Sequence, residues 1–153
     1  MSIFAKLDWR LFACLFALGL LGAWVPLFDL DEGAFLEATR ELLDGGHWAA
    51  TTLDGEPRYD KPILTYWLQA AALQLAPILS NWVPVEIIGR LPSIAAGALW
   101  ALVIGRYTRE LTGQAALGVF TAFALATTLG TLVISRAATA DALLNLWFAL
   151  LFT

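Results

Sequence analysis

The sequence predicts an all-α polytopic membrane protein in which a loop with amphipathic juxtamembrane helices follows the first span. The first observation is composition: the 153 residues are 59% hydrophobic and 14% charged, with a mean hydropathy of +0.72. Soluble domains contain about 25% charged residues. The second observation is charge placement, because 12 of the 22 charged residues lie between Asp29 and Lys61. A soluble domain is therefore excluded, and one polar segment separates long apolar stretches.

The uncharged stretches predict the membrane spans, since a helix needs about 20 apolar residues to cross a bilayer. The predicted spans are about residues 11–28, 90–105, 113–135 and 140–153. The second span is short, and it reaches the required length only if Arg90 and Arg106 extend to the two interfaces. Segment 62–85 is long enough to cross but carries several polar residues and prolines, so its path stays open.

The flanking charges predict the orientation of the first span. Lys6 and Arg10 precede the apolar stretch, and no small-residue cleavage site follows it. This pattern indicates an uncleaved span with a cytoplasmic N-terminus. The polar loop, about residues 29–88, would then face the periplasm, the cell exterior or a lumen.

The first half of the polar loop predicts an amphipathic helix. Asp31 is a favourable N-cap, and apolar residues recur at helical spacing through residues 32–43. Gly45 and Gly46 would end the helix, because glycine is common just past a helix C-terminus. Its apolar face would lie against the membrane interface.

The second half of the loop predicts a turn and another helix. Asp54 and Gly55 form a typical turn pair. Pro62 would occupy the first position of a helix over residues 63–75, because proline fits the first helical turn. The residues alone leave open whether this helix crosses the membrane or lies along its surface.

The loop also places charged groups on both sides of the first loop helix. Asp31 and Glu32 precede that helix, whereas Arg58 and Lys61 follow it. A carboxylate can act as a general base, and an Arg/Lys pair can neutralise a phosphate. The pattern suits a reaction on a lipid-linked phosphate, although a simply solvated loop between spans would also carry such charges.

Several functions are excluded or disfavoured by residue counts. The net charge of −4 gives no support to nucleic-acid binding, which needs a basic face. Cys14 is the single cysteine, so no intramolecular disulfide can form. His47 is the single histidine, so no His-pair metal motif is present.

The order of the motifs resembles a known family. The motifs are Asp31-Glu32, Ala38-Thr39-Arg40-Glu41-Leu42, Gly46-His47-Trp48, Gly55-Glu56-Pro57-Arg58-Tyr59-Asp60-Lys61-Pro62, Tyr66-Trp67, Arg90-Leu91-Pro92-Ser93 and Ala140-Asp141. This order resembles the N-terminal part of the aminoarabinose transferase and protein O-mannosyltransferase-like group of GT-C membrane glycosyltransferases. The resemblance implies GT-C type transmembrane helices, with residues 1–153 as the N-terminal part of a catalytic domain whose remainder is absent.

The resemblance implies an inverting glycosyltransferase. Such an enzyme moves a sugar from a polyprenyl-phosphate donor to a lipid, protein or glycan acceptor on the non-cytoplasmic face of the bacterial inner membrane. Asp31 would be the catalytic carboxylate, and Glu32 would help to place the acceptor or cap the helix. The implied partners are the lipid-linked donor, membrane lipids and an acceptor that the sequence does not identify.

The resemblance also implies substrate-binding residues. Lys61 matches a lysine near the donor phosphate, where positive charge stabilises the leaving group; Arg58 and Tyr59 would assist. Asp141 would line the same cavity. The alternatives are an interfacial anchor for Lys61 and a helix cap for Asp141. Asp60 stands where some relatives have a metal-binding Glu, so it is the candidate for a possible divalent metal.

Two other functions stay open. A transporter-like protein would line its spans with ionisable groups, but the predicted spans carry almost none. A truncated, non-catalytic membrane module is the second alternative, because the chain is much shorter than typical family members. The 153 residues alone are expected to be inactive as an enzyme.

The topology can be tested by cysteine labelling in a Cys14→Ser background. Asp31→Cys is expected to react with a membrane-impermeant maleimide added outside spheroplasts, because the polar loop is predicted outside the cytoplasm. Glu110→Cys, in a predicted cytoplasmic loop, is the control and should react only after permeabilisation. The reverse labelling pattern would contradict the predicted orientation.

Overall fold

The computed structural model describes residues 8–24, 30–46 and 48–152, which form eight helices and a two-stranded antiparallel sheet. The helices are α1 (Trp9–Leu20), α2 (Leu30–Gly45), α3 (Ile63–Leu73), α4 (Ala76–Leu79), α5 (Val85–Thr112), α6 (Ala115–Thr127), α7 (Leu129–Arg136) and α8 (Asp141–Phe152). The strands are β1 (Thr51–Leu53) and β2 (Glu56–Arg58). Interpretations that rest on Lys6, Asp29 or His47 concern residues outside the described ranges.

The axis of the fold is α5, which packs against α1, α3, α6, α7 and α8. Its 28 residues extend well beyond the predicted span of 90–105. Arg90 is 1% exposed and lies inside the protein, so the prediction that it extends to an interface is wrong. Within the described ranges, α5 is the single unbroken helix long and apolar enough to cross a membrane.

The predicted span over residues 113–135 is interrupted in the structure, because the chain bends by 67° between α6 and α7. Thr128 adopts an extended backbone (φ −64°, ψ 143°) and its hydroxyl accepts a hydrogen bond from the Thr131 amide. A threonine that caps a new helix competes with continuation of the previous one. The bent pair has the composition of one broken span or a re-entrant loop.

The remaining apolar helices are short. The Asp8 carboxylate caps α1 by accepting hydrogen bonds from the amides of Arg10 and Leu11. This helix ends at Leu20, so it covers only part of the predicted span of 11–28. Helices α1 and α8 and the α3–α4 pair are apolar but shorter than a membrane crossing requires.

Two arginines bind backbone carbonyls at the end of α1 and just after it. Arg136 donates hydrogen bonds to the carbonyls of Gly19 and Leu18 at 3.2 and 3.1 Å, and Arg90 donates to the carbonyl of Ala23 at 2.6 Å. The last carbonyls of a helix have no partner within it, and positive charge is favourable there. These contacts fasten α1 to α5 and α7.

The helix of the polar loop is present but begins earlier than predicted. Because α2 starts at Leu30, Asp31 lies in its first turn and is not the N-cap that the sequence suggested. Its apolar and polar faces are separated within the protein: Phe35 and Leu42 are buried, whereas Glu37 and Asp44 are exposed. Phe35 and Leu42 join a buried cluster with residues of α3.

The all-α prediction missed the hairpin of β1 and β2. The predicted turn at Asp54 and Gly55 is confirmed, with positive φ angles of 55° and 79°. Two consecutive residues of positive φ suit the twist of a tight hairpin. Pro62 precedes α3 as its N-cap, one position before the predicted one, and α3 ends at Leu73.

The contact between α5 and α6 depends on two facing glycines. A Cβ atom added to Gly105 would lie 2.5 Å from the carbonyl oxygen of Gly118, and one added to Gly118 would lie 2.6 Å from that of Gly105. Small residues at such crossings allow two helix backbones to approach closely.

Gly105→Ala is therefore expected to lower stability by about 1–3 kcal/mol, because the added methyl group overpacks the contact. Gly130→Ala is the matched control, since a Cβ atom at this position meets nothing within 4 Å. Thermal unfolding in detergent measures both variants. Equal melting temperatures for the two would contradict the packing described.

Candidate functional site

Two neighbouring carboxylates in the first turn of α2 occupy opposite environments. The Asp31 side chain is 54% exposed, whereas that of Glu32 is 0% exposed. Consecutive residues of an α-helix point about 100° apart, which allows one to face outward while the next faces inward. The sequence-predicted catalytic pair is thus divided between surface and interior.

Glu32 binds protein groups. Its Oε1 and Oε2 atoms accept hydrogen bonds from Arg90 Nε at 2.6 Å and Nη2 at 2.9 Å. Oε1 also accepts a hydrogen bond from the backbone amide of Ala138 at 2.9 Å. Because the carboxylate is buried and bound by α5 and the segment before α8, the structure does not place it where an acceptor could reach it.

Asp31 lies against two cations from the other end of the polar loop. Its Oδ2 is 3.3 Å from Lys61 Nζ, and its Oδ1 is 3.8 Å from Arg58 Nη2. Arg58 Nε also donates to Asp60 Oδ1 at 3.1 Å. The structure therefore brings together four of the sequence-predicted site residues: Asp31, Arg58, Asp60 and Lys61.

An aromatic platform supports the two cations. Arg58 Cζ lies 5.3 Å and Lys61 Nζ 5.7 Å from the centre of the Phe35 ring, distances typical of cation–π contacts. Phe35 also stacks on Tyr66, with ring centres 5.2 Å apart. Sequence reasoning treated Phe35 only as part of the apolar face; its place four residues after Asp31, one helical turn away, was the available signal.

Arg58 is held firmly and retains an unused donor. Its side chain is 10% exposed, and its carbonyl accepts a hydrogen bond from the Thr51 hydroxyl across the hairpin at 2.8 Å. Within the described part of the chain, Arg58 Nη1 is buried and has no hydrogen-bond partner. Such a group costs free energy unless a ligand or water satisfies it, so an anion here would gain a prepared donor.

An open cleft of about 410 Å³ lies beside these groups. Its lining residues are Asp31, Ala34, Leu53, Glu56, Pro57, Arg58 and Asp60. Burial raises the pKa of the nearby Tyr66 phenol, and the positive charge of Arg58 partly opposes this rise. The phenol is therefore protonated at neutral pH. The charged groups that line the cleft are the carboxylates of Asp31, Glu56 and Asp60 and the guanidinium of Arg58.

Two other predicted site residues, Tyr59 and Asp141, are not among the residues that line this cleft. Tyr59 is 77% exposed. Asp141 lies in the first turn of α8, and its Oδ2 accepts a hydrogen bond from the Thr139 hydroxyl at 3.2 Å. Among the residues that the structure describes, no three His, Cys, Asp or Glu side chains are grouped to hold a metal ion. Asp60 instead binds Arg58, and a divalent metal stays a prediction.

The hairpin that carries Arg58 is attached to α2 through Glu41. The Glu41 carboxylate accepts hydrogen bonds from the Thr52 hydroxyl and, at 3.4 Å, from the Gly55 amide. The hydrogen bond from Thr52 lowers the pKa of Glu41 below its ordinary value of 4.5.

Comparison with known proteins agrees with the motif-based resemblance. The chain is 28% identical over 139 residues to the undecaprenyl phosphate-alpha-4-amino-4-deoxy-L-arabinose arabinosyl transferase of Shewanella sediminis, covering 91% of this chain. It is 32% identical over 96 residues to the protein of the same name from Pectobacterium carotovorum, and 30% identical over 86 residues to that from Aeromonas hydrophila. These matches cover 61% and 56% of this chain. The predicted resemblance to the aminoarabinose transferase group is confirmed.

The chain spans less than a quarter of the length of these curated relatives: 23% for the Shewanella protein, 16% for the Pectobacterium protein and 15% for the Aeromonas protein. No protein-family model and no solved structure matches the chain.

The attachment of the hairpin is expected to depend on pH. Because the pKa of Glu41 is lowered in the folded chain, the contribution of its ionised form is present above about pH 4.5 and is lost as the pH falls through the lowered pKa. Exchange of the Gly55 amide, followed by NMR with ¹⁵N-glycine labelling, should accelerate beyond its intrinsic pH dependence in that range. Glu41→Gln should produce the same acceleration at neutral pH.

Glu37→Gln is the control for this prediction, because Glu37 is exposed and its ion pair, with Arg40 at 4.0 Å, lies away from the hairpin. An unchanged exchange rate of the Gly55 amide in Glu41→Gln would show that the Glu41 contact does not hold the hairpin.

Proposed function

We propose that the chain contributes the site around Asp31 to an inverting glycosyltransferase of the bacterial inner membrane. The enzyme would transfer a sugar from a polyprenyl-phosphate donor to a hydroxyl or phosphate acceptor on the non-cytoplasmic face. The observation that carries the proposal is the contact of the half-exposed Asp31 carboxylate with Lys61 and Arg58 at 3.3 and 3.8 Å. The names of the related transferases support the class of donor.

The two cations suit a leaving phosphate. The ion pair of Asp31 with Lys61 is open to solvent, and such pairs contribute only about 0–1 kcal/mol, so a phosphate can replace Asp31 beside Lys61 at small cost. Arg58 Nη1, buried and without a partner in the described chain, offers an additional donor. Positive charge held at this position stabilises the negative charge that develops on the departing phosphate.

Asp31 suits the role of general base. In the proposed step, an acceptor oxygen attacks the anomeric carbon and passes its proton to the Asp31 carboxylate. The bond between the anomeric carbon and the phosphate oxygen breaks as the new bond forms, which inverts the configuration. The polyprenyl phosphate leaves with the bonding electron pair, close to Lys61 and Arg58.

The surrounding helices suit a lipid-linked donor. The site residues lie on α2, the hairpin and the residues just before α3, whereas α6 and α8 present many large apolar side chains at their surfaces. Such surfaces are favourable in lipid and costly in water. We infer that the polyprenyl tail stays in the membrane beside these helices while the phosphate reaches the charged loop.

Asp31→Asn is expected to lower kcat about 10²- to 10⁴-fold, because the amide cannot accept the acceptor proton. The assay uses protein expressed from its complete open reading frame, reconstituted in liposomes with a polyprenyl-phosphate sugar donor. Asp44→Asn is the matched control, since Asp44 is an exposed aspartate near the other end of α2. Full activity in Asp31→Asn would contradict the proposed role of Asp31.

A further inference from the structure

The buried Glu32–Arg90 pair connects four parts of the chain. Glu32 belongs to α2 and Arg90 to α5, and their two hydrogen bonds measure 2.6 and 2.9 Å. Arg90 Nη1 donates to the Ala23 carbonyl after α1, and Glu32 Oε1 accepts from the Ala138 amide before α8. Both side chains are at most 1% exposed, so neither can exchange its partners for water.

The segment between α7 and α8 depends on side chains from other helices. Residues 137–140 form no helix or strand, so their buried backbone groups need partners elsewhere. Glu32 binds the Ala138 amide, and Gln69 Nε2 donates to the Ala138 carbonyl at 2.8 Å. Ser93 Oγ donates to the Thr139 carbonyl at 3.1 Å. These three contacts hold the segment that leads into α8.

Stability alone does not explain a buried ion pair at this place. Replacing such a pair with apolar residues of similar volume is often neutral or even stabilising, whereas removing one partner is strongly destabilising. Glu32 fixes the relative orientation of the groups that it binds, because its two oxygens bind the Arg90 guanidinium and the Ala138 amide in one arrangement.

We propose that Glu32 is a positioning residue that holds the Asp31 and Asp141 carboxylates in a fixed relation to each other. Asp31 is the preceding residue of α2, and Asp141 lies three residues after Ala138, whose amide Glu32 binds. One buried side chain therefore orients the first turns of both α2 and α8. The inference rests on the proposed function, in which Asp31 is the base.

A double-mutant cycle tests this role, with complete-reading-frame protein in liposomes. Glu32→Gln is expected to lower kcat about 10- to 100-fold with little change in the donor KM, since small misplacement of a reacting group is costly. In an Asp31→Asn background, Glu32→Gln should lower kcat by less than twofold, because the residue that it positions no longer acts. Multiplicative effects of the two substitutions would overturn the inference.

A stability control separates positioning from general weakening. Gly105→Ala disturbs the α5–α6 contact and does not touch the site, so it should lower the melting temperature and leave kcat within twofold. If Asp31→Asn alone keeps full activity, the proposed function fails, which is distinct from failure of the positioning role.

A second measurement needs no turnover. In an otherwise cysteine-free background that carries Asp141→Cys, Glu32→Gln is expected to raise the maleimide reaction rate at position 141 at least threefold, whereas Asp44→Asn should not. Where Glu32→Gln does not fold, Arg90→Lys is used, since lysine keeps the charge but loses the guanidinium fork. An unchanged rate at position 141 would refute the link between Glu32 and α8.

Discussion

The bidentate pair between Glu32 and Arg90 is the interaction on which the arrangement of the site depends. Both groups are removed from water, which is costly for isolated charges and acceptable only with well-formed hydrogen bonds. The pair satisfies this requirement and also binds backbone groups at Ala23 and Ala138. As a result, the helices before and after the charged loop share one buried anchor.

The neighbouring residue Asp31 shows the opposite physical behaviour, and the contrast suits a reaction site. Its contacts with Lys61 and Arg58 are partly exposed, so solvent weakens them and a phosphate can replace them. The cations themselves are kept in place by the Phe35 ring and by the hairpin. A fixed interior anchor thus supports an exchangeable set of charges at the surface.

Sequence reasoning found the residues that meet at the surface but missed what holds them. The family resemblance assigned Asp31, Arg58 and Lys61 to one site, and the turn at Asp54-Gly55 was predicted separately from a local backbone signal. The partner of Arg90 could not be read from the chain, because it lies 58 residues away on a different helix. The bend at Thr128 was missed for another reason: hydropathy averages over residues and does not register a single capping hydroxyl.

The sequence by itself determined the apolar character of the helices, the single charged loop and the resemblance to arabinosyl transferases, because composition and motif order are properties of the chain. The tertiary structure decided which of two adjacent carboxylates faces outward and which is buried. That decision depends on packing, since α5 supplies a guanidinium on only one side of α2. Glu32 is buried where that partner lies, and Asp31 stays with the cations at the surface.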